Sequence, residues 1–407
     1  MSELNTLSRR KLLAMASVGA VGLVAGQSRA LLADSPQANA GTGKGSPMLH
    51  WGIIGTGTRG AFTHIPALTE APDSELIALC DVAEDRLKAA AGKVAHPVAT
   101  YGDYQKLLAN PDVNAVVIAT PNLLHREMLL AALQAGKHVL CEKPAGATPE
   151  DASEMEQAAN AAKTVVMFGM QYRNTTKSRK IAELMAGGHV GKPRYMVQNC
   201  SRGDWNLSPS VWRYADPRRG GELVNWRFSH AASGGTLNEF SCHYLDLLNG
   251  YAGSLPEAIS CEGGISVYTD GRDTWDHATI TLKYPGDLTA VHTLCLFGPS
   301  RADLQIIGDE GSIESVGDTF QLVQFVKRGA KRSAKTQTID LAEPPTHGID
   351  PAVVRLYEDF QACVQTGKKP DASPARALAA SRTCWLAEAA SERRAELKWD
   401  ELSGHRA

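Results

Sequence analysis

The chain has 407 residues, 43% hydrophobic and 21% charged, with 42 basic against 44 acidic side chains and a formal net charge of −2. That length supports two domains with separate cores, and the composition is that of a globular protein. Near-neutral charge without a basic run argues against a nucleic-acid surface as the organising feature.

At the N-terminus, Ser8-Arg9-Arg10-Lys11-Leu12-Leu13 precedes an uncharged apolar stretch over 14–25. The stretch is too short to span a bilayer, and small residues follow it, so it reads as a signal sequence. The paired arginines point to the twin-arginine translocase as export partner and to the periplasm as destination. An ordinary secretory signal or an uncleaved anchor are the alternatives. Cleavage after Ala30, Ala33 or Ala40 is compatible, with Ala38-Asn39-Ala40 the best small-x-small match. Residues 1–47 are therefore expected to be signal and Gly/Ser/Pro-rich linker, with no stable membrane insertion after processing.

From Leu49 the pattern alternates strand and helix. Leu49–Ile54 reads as a short apolar strand, followed at once by Gly55-Thr56-Gly57-Thr58-Arg59-Gly60 and a helix through His64 toward Thr69. Glu75–Cys80 is the second strand and ends in Asp81. A helix around Glu84–Lys93, a strand Asn114–Ala119, a helix His125–Ala135 and a strand His138–Cys141 follow. This alternation predicts an α/β domain with a parallel sheet covered on both faces.

In that setting the glycines have separate tasks. Gly55 permits the tight turn, Gly57 lets backbone approach a pyrophosphate, and Gly60 lets the helix pack close to the sheet. The phosphates would lie at the helix N-terminus. Asp81, about twenty residues on, is placed to bind an adenosine ribose hydroxyl, which favours NAD; Arg59 leaves NADP open. No Cys or His spacing suggests a metal. The eight cysteines include Cys80 and Cys141 in buried strands and Cys242 on a predicted helix, so free thiols are expected.

Further along, Gln171 and Arg173 follow a strand at 164–170. Asp204-Trp205 through Trp212-Arg213-Tyr214, with Trp226 and Arg227, is rich in aromatics and arginine. It suits either a sugar-stacking specificity loop or a subunit contact. Glu239, His243 and Asp246 have i, i+4, i+7 spacing, which places them on one helical face. Period-two segments such as Ala278–Tyr284 read as strands, and Pro374–Glu392 reads as helix.

Several motifs together resemble the glucose–fructose oxidoreductase / inositol dehydrogenase / rhizopine catabolism (Gfo/Idh/MocA) family. They are the glycine loop, Ala119-Thr120-Pro121-Asn122 with His125, Ala135 through Glu142-Lys143-Pro144, Gln171-Tyr172-Arg173, and Gly234 through Asp246. The resemblance implies a Rossmann dinucleotide-binding domain over 48–170. It also implies an α+β domain over 171–407 with an open, mostly antiparallel sheet, one face of which packs against another subunit in a homodimer or homotetramer. Cofactor contacts are then expected from Gly55, Thr56, Gly57, Arg59, Gly60, Asp81, Thr120, Pro121, Asn122, His125, Glu142 and Lys143. A cis bond before Pro144 is a further implication. The expected substrate is a sugar or polyol bound by Gln171, Arg173, Glu239 and His243.

Hydride transfer from a sugar carbon needs a base for the hydroxyl proton and a positive group for the developing alkoxide. Lys143 lies at the carboxyl edge of the sheet, and His243 matches the family's proton-transfer histidine. Glu239 stands where Asp is commoner and is assigned as hydroxyl ligand or partner of His243. Ser241 stands where Gly is usual, and Asp246 reads as structural.

Export adds a constraint, because a periplasm offers little free NAD(P)H. A dinucleotide bound in the cytoplasm and carried out would favour redox-neutral chemistry, as dismutation or through a transient keto-sugar. An NAD-dependent glycosidase, lyase or epimerase is thus the rival enzyme reading. A G-G-x-x-Y-P-T-H-G-type glycosidase segment is not evident around Gly234–His243. A non-catalytic sugar sensor would make Lys143 or His243 dispensable.

Overall fold

The computed structural model describes residues 47–204, 213–217, 220–317, 319–328, 331–341 and 348–401. The signal and linker before residue 47, together with Trp205 and Trp212, lie outside the described residues.

Six strands form the first sheet: β1 Leu49–Ile54, β2 Ser74–Cys80, β3 Ala99–Tyr101, β4 Ala115–Ile118, β5 His138–Cys141 and β6 Val166–Phe168. Their order is β3-β2-β1-β4-β5-β6, every pairing parallel. Continuous apolar strands such as Ala115-Val116-Val117-Ile118 are buried throughout because helices cover both faces. Strand order reverses between β1 and β4, and the loops after them leave from the carboxyl edge. This is where such sheets bind ligands.

The second sheet has nine strands. They are β7 Pro193–Ser201, β10 Ala258–Gly264, β11 His277–Tyr284, β12 Leu288–Cys295, β13 Arg301–Gly308, β14 Gly311–Val316, β15 Thr319–Arg328, β16 Lys331–Thr338 and β17 Leu397–Lys398. A separate hairpin is made by β8 Arg213–Asp216 and β9 Glu222–Asn225. The order is β16-β15-β14-β13-β7-β12-β11-β10-β17, antiparallel except where β7 meets β12. Along β11, Ala278, Ile280, Leu282 and Tyr284 are buried while Thr279 and Lys283 are exposed. One face thus meets the helices and the other stays open.

The two domains are not cut cleanly at residue 170. The helix Pro351–Thr366 returns to the first sheet, where the Trp51 ring lies 5.2 Å from Tyr357 and 4.9 Å from Phe360. Phe168 N–H also donates to the Ala372 carbonyl at 3.0 Å. Residues 171–407 therefore supply part of the first domain's cover, packing two rings against Trp51 on β1. The helix Pro374–Arg393 packs on the helix bearing His243 and on β10.

Candidate active site

The glycine loop has the geometry its spacing predicts. Gly55 has φ +96°, and a Cβ there would lie 2.7 Å from the Ala119 oxygen, so neither chirality nor space admits a side chain. A Cβ on Gly60 would collide with the Gly55 carbonyl. At Gly57 a Cβ would meet nothing within 4 Å, so the backbone faces open space from one side. The helix that follows begins as a π-turn, Gly60–His64, before the α-helix Ile65–Glu70.

Asp81 ends β2 and is shared. One oxygen accepts from Thr56 N–H at 2.8 Å and Thr56 Oγ1 at 3.1 Å, while the other accepts from Ala83 N–H at 2.9 Å. It pins the glycine loop to the next one. Thr120 and Pro121 lead from β4 into a short turn, Asn122–Leu124. His125 is fully buried between the carbonyls of Pro144, 3.1 Å from Nδ1, and Thr120, 3.0 Å from Nε2. Burial lowers its pKa, so the neutral ring donates to one carbonyl at a time. It braces the Thr120 and Pro144 loops against each other.

The Lys143–Pro144 bond is cis, as the resemblance implies. On its N-terminal side Glu142 is buried, and its Oε1 accepts from Arg59 Nε at 2.6 Å and His64 Nε2 at 2.9 Å. Burial alone would raise the Glu142 pKa, but Arg59 and His64 outweigh it and hold the carboxyl well below the ordinary range. Burial lowers the His64 pKa, so the neutral ring donates through Nε2 and accepts the Tyr357 hydroxyl at Nδ1, 2.8 Å away. Arg59, expected against the cofactor, pairs with Glu142 through Nε, and its Nη2 has no hydrogen-bond partner among the described residues.

Lys143 Nζ donates to the Glu239 carbonyl at 2.6 Å and lies 3.1 Å from Glu239 Oε2. Asn122 Nδ2 reaches the same oxygen at 2.9 Å and the Ser233 carbonyl at 2.8 Å. Arg227 Nε donates to Oε1 at 3.0 Å. Burial pushes the Glu239 pKa up, but Lys143 and Arg227 bring it down to about 2. Both of its oxygens are engaged within the chain. It is the anchor of Lys143.

Of the helical face expected for Glu239, His243 and Asp246, the last two share one α-helix. Glu239 lies in a π-turn, Leu237–Ser241, and His243 in the α-helix Cys242–Ala252 that follows, so their offset is not that of one α-helix. His243 is buried and stacks on Tyr172, ring centroids 4.2 Å apart at 13°. Burial, then the Lys143 charge, lowers its pKa to about 3. Its Nδ1 has no hydrogen-bond partner among the described residues.

Two residues expected at the substrate divide. Gln171 is buried with Oε1 unpartnered among the described residues, directly before Tyr172. Arg173 is turned into a clamp: Nε and Nη2 grip Asp246 at 2.5 and 2.8 Å, and Nη1 reaches Asp371 at 2.8 Å. Both oxygens of Asp246 are thereby held by Arg173. Sequence reasoning passed over Tyr172, His64 and Tyr357. Tyr172 lay inside a quoted motif. The partners of the other two come from distant segments.

A family model described as an oxidoreductase family with an NAD-binding Rossmann fold matches residues 49–170, and a Gfo/Idh/MocA C-terminal domain model matches 178–314. The chain belongs to the Gfo/Idh/MocA oxidoreductase family. An uncharacterized oxidoreductase of Synechocystis sp. is 34% identical over 291 residues, 68% of this chain and 74% of that protein. The 1,5-anhydro-D-fructose reductase of Ensifer adhaerens is 29% identical over 275 residues, 65% and 75% of the two chains. Levoglucosan dehydrogenase, solved with NADH and levoglucosan, superposes with a TM-score of 0.74 at 21% identity, covering 86% of this chain and 99% of that one. At that identity the likeness shows the shared fold.

As a Gfo/Idh/MocA protein, the chain takes NAD, and its own residues fit the dinucleotide. Gly57 presents bare backbone to open space, Asp81 closes β2, and Lys143 stands at the carboxyl edge of the sheet. All eight cysteines are free, and all but Cys295 are buried. Among the described residues no group of three His, Cys, Asp or Glu is placed for a metal, and no helix is long and apolar enough to cross a membrane.

Proposed function

We propose that this protein oxidises a hydroxyl of a sugar or polyol with NAD, and that it does so after export. The observation that carries the reading is the meeting of Lys143 and the helix start bearing Glu239 and His243, at the edge of the NAD-binding sheet. NAD supplies the hydride acceptor. The neutral His243 imidazole takes the hydroxyl proton, held flat by Tyr172. The Lys143 ammonium steadies charge developing on the oxygen, aimed by Glu239. The name of the Ensifer relative supports a sugar as substrate.

Export is supported by Arg9-Arg10 ahead of the apolar stretch 14–25. Redox-neutral turnover on a retained dinucleotide follows from it, whether dismutation or a transient keto-sugar. The open face of the nine-stranded sheet, with Tyr195 exposed on β7, supports pairing with a second copy. The test is absorbance at the reduced-nicotinamide band when purified protein meets D-xylose, D-glucose, myo-inositol or 1,5-anhydro-D-fructose. A change with the wild type that Lys143→Ala and His243→Asn both lack is expected. No change with any sugar, with or without added NAD or NADH, would remove the reading. Mass spectrometry of what denaturation releases shows whether a dinucleotide is retained. Lys-Lys in place of Arg9-Arg10 should hold the protein in the cytoplasm.

A further inference from the structure

Beside the active site lies a buried ion cluster that the proposed reaction does not use. The Arg272 side chain is 1% exposed. Its Nη1 and Nη2 grip Asp204 at 3.0 and 2.7 Å, and its Nε and Nη2 hold Asp270 at 2.8 and 2.5 Å. The guanidinium is sandwiched between the rings of Phe228, 3.9 Å away, and Tyr268, 4.1 Å away. A desolvated cation is tolerated only with such partners, and only arginine offers a planar fork and two stacking faces together.

The platform behind the cluster is itself held. Asp276, fully buried, accepts the backbone N–H groups of Ser266, Val267 and Tyr268. Tyr268 also donates its hydroxyl to the Leu296 carbonyl at 3.0 Å. Asp273 N–H donates to the Phe228 carbonyl at 3.2 Å. Of the groups gripped by Arg272, Asp204 precedes the β8–β9 hairpin and Phe228 follows it. Between Phe228 and the hairpin sits Arg227, stacked on Trp226 and bonded to Glu239, the carboxylate that aims Lys143.

We infer that Arg272 is a positioning residue, which fixes the chain on both sides of the hairpin and through Phe228 holds Arg227 against Glu239. The inference deepens the proposed function, since it names what sets the Glu239–Lys143 pair. A purely structural plug would be served as well by apolar residues of like volume. A fork that ties two chain segments to one rigid loop instead carries geometric information to the site.

The test uses the full-length protein and two readouts. The first needs no substrate: competitive labelling of lysines by acetic anhydride, read by mass spectrometry. Loosening Arg227 frees Glu239 to shift, so Lys143 should label several-fold faster in Arg272→Lys and in Arg227→Gln. The double variant should label no faster than Arg227→Gln alone, because both changes act through one contact. The second readout is the steady-state split with whichever sugar of the panel turns over. Arg272→Lys should raise KM or lower kcat about tenfold while NAD affinity stays within about twofold.

Unchanged Lys143 labelling in Arg272→Lys overturns the inference. So do effects that multiply in the double variant. If Arg272→Lys does not fold, Asp204→Asn loosens one prong of the same fork and carries the same test. Wild-type protein inert toward every sugar removes the proposed function yet leaves the labelling outcome to decide the inference.

Discussion

Two buried carboxylates flank the Lys143 ammonium, and they are held in opposite ways. Glu142 takes its partners from its own domain, Arg59 and His64, with Tyr357 closing the stack from behind. Glu239 is bound by three separate segments: the Lys143 strand edge, the Asn122 turn after β4, and Arg227 beyond the β8–β9 hairpin. Burial would raise the pKa of either, and cations reverse it in both. His64 is fully shielded, but both clusters keep partly exposed cations: the side chains of Arg59, Lys143 and Arg227 are 31%, 15% and 27% exposed. The first cluster is a fixed floor. The second exists only while the two domains keep their relative placement.

Removing the shared cation is the strongest way to break the comparison. Lys143→Ala should lower kcat by about 10³-fold or more, with NAD binding kept within a few-fold, as measured by stopped-flow and titration. Next comes the floor. Glu142→Gln strips Arg59 of its buried anion and should cost about 3 kcal/mol of stability in denaturant unfolding. If that variant loses only activity, Glu142 belongs with the Glu239 cluster and not the floor. Glu239→Gln should do the reverse, lowering kcat about 30-fold, roughly 2 kcal/mol at the transition state, for a smaller loss of stability.

The acid response sharpens the contrast further. The His243 pKa falls from 6.5 to about 3 through burial and then Lys143, so between those values the unfolded chain binds a proton that the folded one refuses. Its contribution to stability is therefore complete above about pH 6.5 and is lost as pH falls toward 3. Unfolding midpoints measured at pH 7 and pH 4.5 should fall less in His243→Asn than in wild type, and an equal fall would show the ring titrating normally. The smallest effect belongs to the back of the floor. Tyr357→Phe removes one hydrogen bond to His64 and should cost about 1 kcal/mol, with little change in kcat.

Much of this was legible before any coordinates. The strand–glycine–helix order, Asp81 at the end of β2, and Lys143 at the strand edge follow from local patterns that set backbone geometry over a few residues. The resemblance located His243 and Glu239 but not the cations that hold Glu239, since the partners of a carboxylate depend on which cations the fold brings near. The pairings of Arg59 and Arg173 were hidden for the same reason: each looks like a free charge in sequence and is the partner of a buried carboxylate in space. The π-turn that carries Glu239 was not legible, because it changes the offset to His243 without any composition that marks it, whereas His243 and Asp246 share one α-helix.

The amino-acid order alone therefore determined the elements and the cofactor loop, because strand, turn and helix preferences act between near neighbours. Which cation meets which carboxylate was decided by tertiary packing. Tyr357 reaches His64 across 293 residues and Arg272 joins Asp204 across 68. Contacts so distant along the chain follow only from how the elements pack, and burial then makes each pairing obligatory.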